Sequence, residues 1–205
     1  ALTAIKSDVA DAKDAQLLFN RILQLGGIDI LYNNAGVIST PLNLGVPTDK
    51  HFEAAEYEIN INYLGIIRLN NLFIEMLKAR KEGAIINTTS IVSYVPFMYA
   101  PTYSATKVAL RFYTESLRKH LQLLNSKIKV FELLPPLVAT DMADGFDAKA
   151  ITPEYLVKSL IAGLKKNQLT IRVGDTKLIY FFNRLFPKMA FGILNPMKNA
   201  GLLKQ

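Results

Sequence analysis

Tyr103-Ser104-Ala105-Thr106-Lys107 follows Pro101 and opens a run of helix-forming residues that reaches Leu124. Positions four apart on a helix lie one turn above each other on the same face. The phenol of Tyr103 and the ammonium of Lys107 are therefore expected in one space. A free phenol titrates near pH ~10 and moves protons poorly at neutrality. A cation one turn away favours the phenolate and lowers that value, which would turn the pair into a general acid and base. The spacing alone decides little, because a chain with 9 Tyr and many Lys produces about one Tyr-x-x-x-Lys by chance, on an exposed helix face.

The surroundings are more informative. Gly83-Ala84-Ile85-Ile86-Asn87-Thr88-Thr89-Ser90 reads as a buried strand ending in hydroxyls, and Ser90 stands thirteen residues before Tyr103. Ile28-Asp29-Ile30-Leu31-Tyr32 is a second apolar strand, ending in Asn33-Asn34-Ala35-Gly36. Lys129-Val130-Phe131-Glu132-Leu133-Leu134 is a third, ending in Pro135-Pro136-Leu137-Val138-Ala139-Thr140. In a parallel α/β sheet such carboxyl ends form one edge, where ligands bind.

Taken together, Asn33 to Gly36, Asn62 in Asn62-Tyr63-Leu64-Gly65, Ser90, Tyr103-x-x-x-Lys107 and Pro135 with Thr140 make the chain resemble the short-chain dehydrogenase/reductase superfamily. The resemblance runs from residue 1 to about residue 173. It implies an NAD(P)-dependent oxidoreductase that passes a hydride between a nicotinamide cofactor and a small carbonyl or alcohol. Tyr103 would protonate the carbonyl oxygen in reduction and take the hydroxyl proton in oxidation. Lys107 would favour the phenolate and bond the nicotinamide ribose, Ser90 would hold the reacting oxygen, and Asn62 would hold a water beside the lysine.

The same resemblance assigns cofactor contacts to Asp8, Val9, Asn34, Ala35, Gly36, Tyr103, Lys107, Pro135, Val138 and Thr140. Asp8-Val9 would lie by the adenine ring, Gly36 would let the cofactor approach the backbone, and Thr140 would meet the carboxamide. Pro135-Pro136 departs from the usual Pro-Gly, and its second proline removes a backbone donor beside the nicotinamide. NADP is preferred over NAD on family grounds, since the usual determinants would lie ahead of residue 1. The alternative from another class is a catalytically idle dinucleotide-binding sensor or scaffold. A hydrolase is set aside, because there is no Gly-x-Ser-x-Gly elbow.

Composition restricts the remaining possibilities. The chain has 205 residues, 50% of them hydrophobic, enough for one good core, and contains no cysteine. His51 and His120 lie far apart in sequence, so no metal site is expected. The formal charge of +7 is concentrated at the end: Lys177, Arg184, Lys188, Lys198 and Lys204 meet no acid after residue 175. Nothing resembles a nucleic-acid groove, no run reaches transmembrane length, and a cytoplasmic location is the expectation.

Along the chain we expect an open doubly wound parallel sheet of Rossmann type. Strands are expected at residues 1–7, 28–33, 84–89, 128–133 and 169–173. Helices are expected at 11–25, from Lys50 to about Ala79 with a break near Asn60–Asn62, at 102–124 and at 154–166. Thr48-Asp49 and Thr152-Pro153-Glu154 read as helix starts, and Gly26-Gly27 as a stop. Residues 1–175 would form the catalytic domain and 176–205 a basic amphipathic extension. On a helix from residue 177, Leu178, Ile179, Phe182, Leu185, Phe186, Met189 and Ile193 share a broad face, with a break at Pro187. The extension would close over the substrate pocket or pack on a neighbouring subunit, in preference to touching a membrane surface.

The substrate is expected against residues 92–98 and 142–150, where Tyr94, Val95, Phe97, Met98 and Phe146 suggest an apolar pocket. A homodimer or homotetramer is expected, with Leu69, Leu72, Phe73, Met76, Phe112 and Leu117 as its apolar surface or else as core. The family also opens with a strand, a glycine-rich turn and a helix that cradle the pyrophosphate. Here Ala1 to Val9 match the third strand instead, so we expect strands 1 and 2, within about 50 family-typical residues, to be missing from this chain.

Overall fold

The computed structural model describes residues 2–143, 146, 149–197, 201 and 203. Its centre is a parallel four-stranded sheet in the order β1-β2-β3-β4, made of β1 (Ile30–Asn33), β2 (Ala84–Thr88), β3 (Lys129–Leu134) and β4 (Thr170–Arg172). Successive strand residues point to opposite faces, so each strand feeds two cores. On one face Leu31, Ile85 and Val130 meet α1 (Ala12–Gln24), α3 (Gly65–Lys78) and α4 (Pro101–Leu123) through Ala15, Leu69, Phe73 and Leu121. On the other, Ala84, Ile86, Phe131 and Leu133 meet α5 (Pro153–Lys165) through Leu160. Continuous apolar runs in β2 and β3 are what burial on both faces demands.

The helix boundaries agree with the sequence to within a residue or two. Asp11 caps α1 by accepting from the Lys13 and Asp14 N–H groups, and Gly26 and Gly27 end it at φ 94° and 83°. Only glycine adopts that region without strain. Thr152 caps α5 through a 3.2 Å bond from the Tyr155 N–H. The long helix from Lys50 does break where its asparagines lie: α2 (Lys50–Ile59) passes through a π-turn at Asn60–Leu64, closed by the Gly65 N–H on the Asn60 carbonyl, before α3 begins.

Three expectations need correcting. Residues 2–7 form no strand; they are largely exposed and pair with nothing, and a strand exists only through its ladder. Asp49 does not cap α2 with its side chain, because its backbone is already helical at φ −62° and ψ −23°. Of the apolar surface proposed for a subunit contact, Leu69 and Phe73 are buried and Leu72, Met76 and Leu117 pack against the same core, leaving Phe112 exposed.

Beyond β4 the chain forms α6 (Thr176–Leu185) and α7 (Pro187–Leu194), broken at Phe186–Pro187 as the proline requires. A third core of Ile91, Val92, Val95, Ile179 and Ala190 holds the pair on the body. The Asn195 side chain fastens the far end, accepting from the Met98 N–H at 2.8 Å and donating to the Pro96 carbonyl at 3.0 Å. Tyr94 stacks between the Arg111 and Arg172 guanidinium groups, and Arg172 lies 3.9 Å from the Tyr180 ring. No helix among the described residues is long and apolar enough to cross a membrane.

Candidate active site

The carboxyl ends of all four strands open into one cavity of about 840 Å³. Asn34 and Gly36 border it after β1, Thr88 to Ser90 after β2, Pro135 to Val138 with Thr140 after β3, and Asp175 after β4. Tyr103 and Lys107 enter from the first turns of α4, and Leu178, Ile179, Phe182, Ile193 and Leu194 close it from α6 and α7.

The floor is polar and buried. Pro101 occupies the first turn of α4, where its missing N–H costs nothing. Ser104 fixes that turn, donating to the Ala100 carbonyl at 2.9 Å and accepting from the Phe97 N–H at 3.1 Å. One residue before and three after it, Tyr103 and Lys107 then share a face, with the Lys107 Nζ 5.5 Å from the centre of the phenol ring. The ammonium donates to the Thr88 carbonyl at 2.9 Å, at the very end of β2. Ser90 is buried two residues on and accepts from the Val92 N–H at 3.4 Å.

Burial reverses the expected electrostatics. The Tyr103 phenol is pushed up to about 12, first by desolvation and also by the Glu58 carboxylate, with the Ser90 hydroxyl opposing the rise. The Lys107 ammonium falls to about 8 because it too is desolvated. The lowering of the phenol by its cation, expected from spacing, is therefore overturned. In a low-dielectric floor, removing water from an anion outweighs a neighbour that is itself losing its charge.

Asn62 is fully buried in the π-turn and does not face the cavity. Its Oδ1 accepts from the Val37 N–H at 2.8 Å, and its amide donates to the Val37 carbonyl at 2.9 Å and to Thr106 Oγ1 at 3.2 Å. It thus clamps the segment after β1 to α4. A methyl group at Gly36 would lie 3.4 Å from Asn62 Oδ1 and 3.5 Å from Lys107 Nζ, so these three residues converge. Asn34 Oδ1 accepts from the Tyr32 hydroxyl at 3.0 Å.

Pro135, Val138 and Thr140 line the cavity, whereas Ala35, Asp8 and Val9 do not. Asp8 is spent locally, on the Ala10 N–H at 2.8 Å, and the Val9 carbonyl accepts from Arg68 at 2.7 Å. Of the expected substrate segments, Val92, Phe97, Met142, Ala143, Phe146 and Lys149 border the cavity. Val95 is core, Tyr94 stacks on arginines, and Met98 offers only its N–H to Asn195. Asp144, Gly145, Asp147 and Ala148 of that stretch lie outside the described residues, as do Lys198 and Lys204 of the extension.

Sequence reasoning missed the polar groups that support this floor. Asn33 donates to Asn70 Oδ1 at 2.9 Å and Asn87 Oδ1 at 2.8 Å, and Asn87 donates to Thr114 Oγ1 at 2.9 Å, all in the buried layer between β1, β2, α3 and α4. Glu58 is buried with Oε1 accepting from the Ser39 N–H at 2.6 Å, and burial raises its carboxyl above the usual range. Glu132, buried in β3 and likewise raised by burial, accepts from Thr89 Oγ1 at 2.9 Å. The available signal was polarity inside apolar runs, as at Asn87 after Ile86 and Glu132 after Phe131.

Comparison with known proteins agrees with this geometry. Residues 1–150 match the family model described as short chain dehydrogenase. An uncharacterized oxidoreductase, DltE, of Bacillus subtilis is 30% identical over 171 residues, covering 80% of this chain and 66% of that protein. An NADPH-dependent 1-acyldihydroxyacetone phosphate reductase of Schizosaccharomyces pombe is 34% identical over 123 residues, covering 58% of this chain and 40% of its own length. Against both relatives the chain spans no more than two thirds of their length. A crystal structure of a short chain dehydrogenase from Burkholderia cenocepacia in complex with NADP superposes with a TM-score of 0.81 at 25% identity, covering 93% of this chain and 77% of that one.

Proposed function

The chain belongs to the short-chain dehydrogenase family, and on that footing we propose that it is an NAD(P)-dependent oxidoreductase acting on a small carbonyl or alcohol. The observation that carries the proposal is the pairing of Tyr103 with a fully desolvated Lys107 at the floor of the cavity. An ammonium has three N–H bonds, and the Thr88 carbonyl takes one of those of Lys107. The others are suited to ribose hydroxyls, which offer acceptors.

The fit of a nicotinamide cofactor rests on the donor set and on the space. Lys107, Tyr103, Asn34 and Thr140 provide hydrogen-bonding groups around a cavity of about 840 Å³, and Gly36 leaves the β1 end without a side chain. These residues would hold the nicotinamide half, and the bound cofactor would supply or accept the hydride. NADP is our preferred cofactor, in keeping with the NADPH-dependent relative. Asp8 and Val9 are assigned to the adenine end by family resemblance alone.

The protein's share is proton transfer and placement. A phenol pushed up to about 12 stays protonated through neutral pH, so the proton that a carbonyl oxygen needs is in place, although the phenol is a weaker acid than a free one. Ser90 holds that oxygen beside it, and Lys107 sets the local field. Residues 1–175 carry the chemistry in this reading, and α6 and α7 of the 176–205 extension cover the cavity. A cytoplasmic homo-oligomer belongs to the same proposal, with exposed Phe112 on α4 as its remaining apolar anchor.

The test is Tyr103→Phe assayed for NADPH and NADH consumption with a panel of aldehydes and ketones. Turnover is expected to fall about 10²–10⁴-fold while the fold and much of the cofactor affinity persist. Binding of dinucleotide without turnover, unchanged by the substitution, would establish the idle sensor instead.

A further inference from the structure

The two helices that cover the cavity expose apolar residues they have no structural reason to expose. Leu178, Phe181 and Leu185 recur at spacings of three and four along α6 and are 58%, 57% and 55% exposed. Phe186, Met189 and Ile193 continue the stripe across α7 and are exposed as well. The single broad face expected for an unbroken helix is divided: Ile179 and Phe182 turn into the core, and the others face out. The outward set is not loosely placed, because Asn195 and the stack of Arg111, Tyr94, Arg172 and Tyr180 fix both helices on the body. A contiguous apolar surface on a fixed scaffold marks a docking site.

Charge selects the occupant. Lys177, Arg184 and Lys188 are exposed beside the stripe, and no acid occurs from Thr176 to Gln205. A second copy docking by a two-fold axis would set this face against itself, Lys177, Arg184 and Lys188 against their copies, with Asp175 at the start of α6 the nearest acid in sequence. An anionic bilayer answers both features, since acyl chains take the apolar stripe and headgroups take the cations. With no helix among the described residues long and apolar enough to span, the pair would lie flat on the surface.

We propose that the outer face of α6 and α7 docks on an anionic lipid surface and sets the cavity against it, so that the substrate is a lipophilic carbonyl or alcohol taken from the bilayer. Leu178 and Ile193 belong to both features: they line the cavity and form part of the exposed stripe. An apolar entrance thus continues directly into an apolar lining that includes Val92, Phe97 and Phe182. The docking part stands on the surface alone; the substrate part rests on the oxidoreductase reading.

The experiment is co-sedimentation of the full-length protein with vesicles of phosphatidylcholine, with and without phosphatidylglycerol, at low and high salt. The protein is expected to pellet with the anionic vesicles and to be released as salt rises. Arg184→Gln and Lys188→Gln should each weaken binding about fivefold. The double variant Phe181→Asp, Leu185→Asp replaces no residue that lines the cavity, although the Phe181 ring meets that of Phe182, and should abolish pelleting with its circular dichroism unchanged. Wild-type protein that stays in the supernatant at low salt overturns the proposal, as does a folded double variant that still pellets. Sedimentation velocity showing a dimer that the double variant disperses, without vesicle binding, would give the face to a second copy.

A second arm compares a long-chain aldehyde carried in vesicles with a short soluble one. The wild type should turn over the vesicle-borne aldehyde faster, and the double variant should lose only that advantage. If pelleting occurs and neither aldehyde is reduced, the docking surface stands and the oxidoreductase reading falls. If both are reduced at rates indifferent to vesicles and to the double variant, the lipid source of substrate falls and the enzyme stands.

Discussion

The two ends of the cavity are built against opposite rules. At the floor, an ammonium, a half-buried phenol and the hydroxyls of Thr88, Thr89 and Ser90 are withdrawn from water, with Lys107 only 3% exposed. At the mouth, leucine, isoleucine and phenylalanine side chains are held out in water on fixed helices. Neither arrangement is what stability alone would select, since charge belongs outside and large apolar side chains inside. The floor offsets part of its inversion with internal hydrogen bonds, as Lys107 has the Thr88 carbonyl, while Asn33 Oδ1, Glu58 Oε2 and Glu132 Oε2 stay buried without a partner among the described residues. The mouth has no such internal compensation. That difference teaches where to look for a ligand: the floor is preorganised for chemistry, and the mouth is waiting for a surface.

The strongest way to break this contrast is Lys107→Met. If the buried ammonium is retained for chemistry, activity should fall by about 10²–10⁴-fold while the protein becomes more stable near neutral pH. The sign follows from proton binding. The unfolded chain keeps the Lys107 proton to its ordinary value of 10.5, whereas the folded protein releases it near 8. Between those values the unfolded state holds more protons, so this group makes wild-type stability rise with pH across that window. The variant should lack that rise, and its advantage should shrink from pH 8 upward and vanish by about pH 10.5. Thermal midpoints of both proteins across the range check it. A destabilised variant at pH 7 would mean that the Thr88 bond matters more than the desolvation.

A smaller loss is expected where the floor is supported. Asn33→Ala removes the donor shared by Asn70 and Asn87, leaving two buried carbonyl oxygens unpaired. The expected cost is about 2–3 kcal/mol in urea unfolding, at unchanged m-value. Asn195→Ala should cost less, about 1 kcal/mol, because it releases one end of α7 and part of the segment 96–98 without opening the sheet. Limited proteolysis should then cut in residues 186–196 sooner than in the wild type.

How much of this was legible depended on the kind of residue. The strands of the sheet and their carboxyl-end clusters could be read from apolar runs ending in Asn, Ser, Pro and Gly. Even the break near Asn60–Asn62 showed, because three polar or poorly helical residues interrupt an otherwise helical pattern. Residues 2–7 were misread because a strand-like composition carries no information about whether a partner is present. The Tyr103 and Lys107 pairing was legible from spacing, but its electrostatics were not. Spacing gives proximity, and the extent of desolvation is a property of the assembled core. For the same reason the bond of Asn62 to Val37, 25 residues away, and the network around Asn33 went unseen, since the members of that network are separated by 37 and 54 residues. The apolar character of 177–193 was legible, while its division into an inward and an outward set needed the turn at Phe186.

The finest test of the contrast concerns a side chain expected to do nothing for the fold. Phe181 is 57% exposed on α6 and does not line the cavity. Its ring makes one edge contact with Phe182, at 6.1 Å between centroids. Serine and phenylalanine have similar helix propensities, so Phe181→Ser leaves the intrinsic stability of α6 nearly unchanged. Loss of the single aromatic contact at a wet surface sets the remaining cost, and the expected shift is within about 0.5 kcal/mol. Urea unfolding at unchanged m-value measures it. A buried residue of the same pair of helices, Ile179, should behave differently, with Ile179→Ala costing about 2–4 kcal/mol. If Phe181→Ser proved as costly as Ile179→Ala, the ring would be packing against the protein itself. The mouth would then be ordinary core, and its exposed stripe would no longer need a partner to explain it.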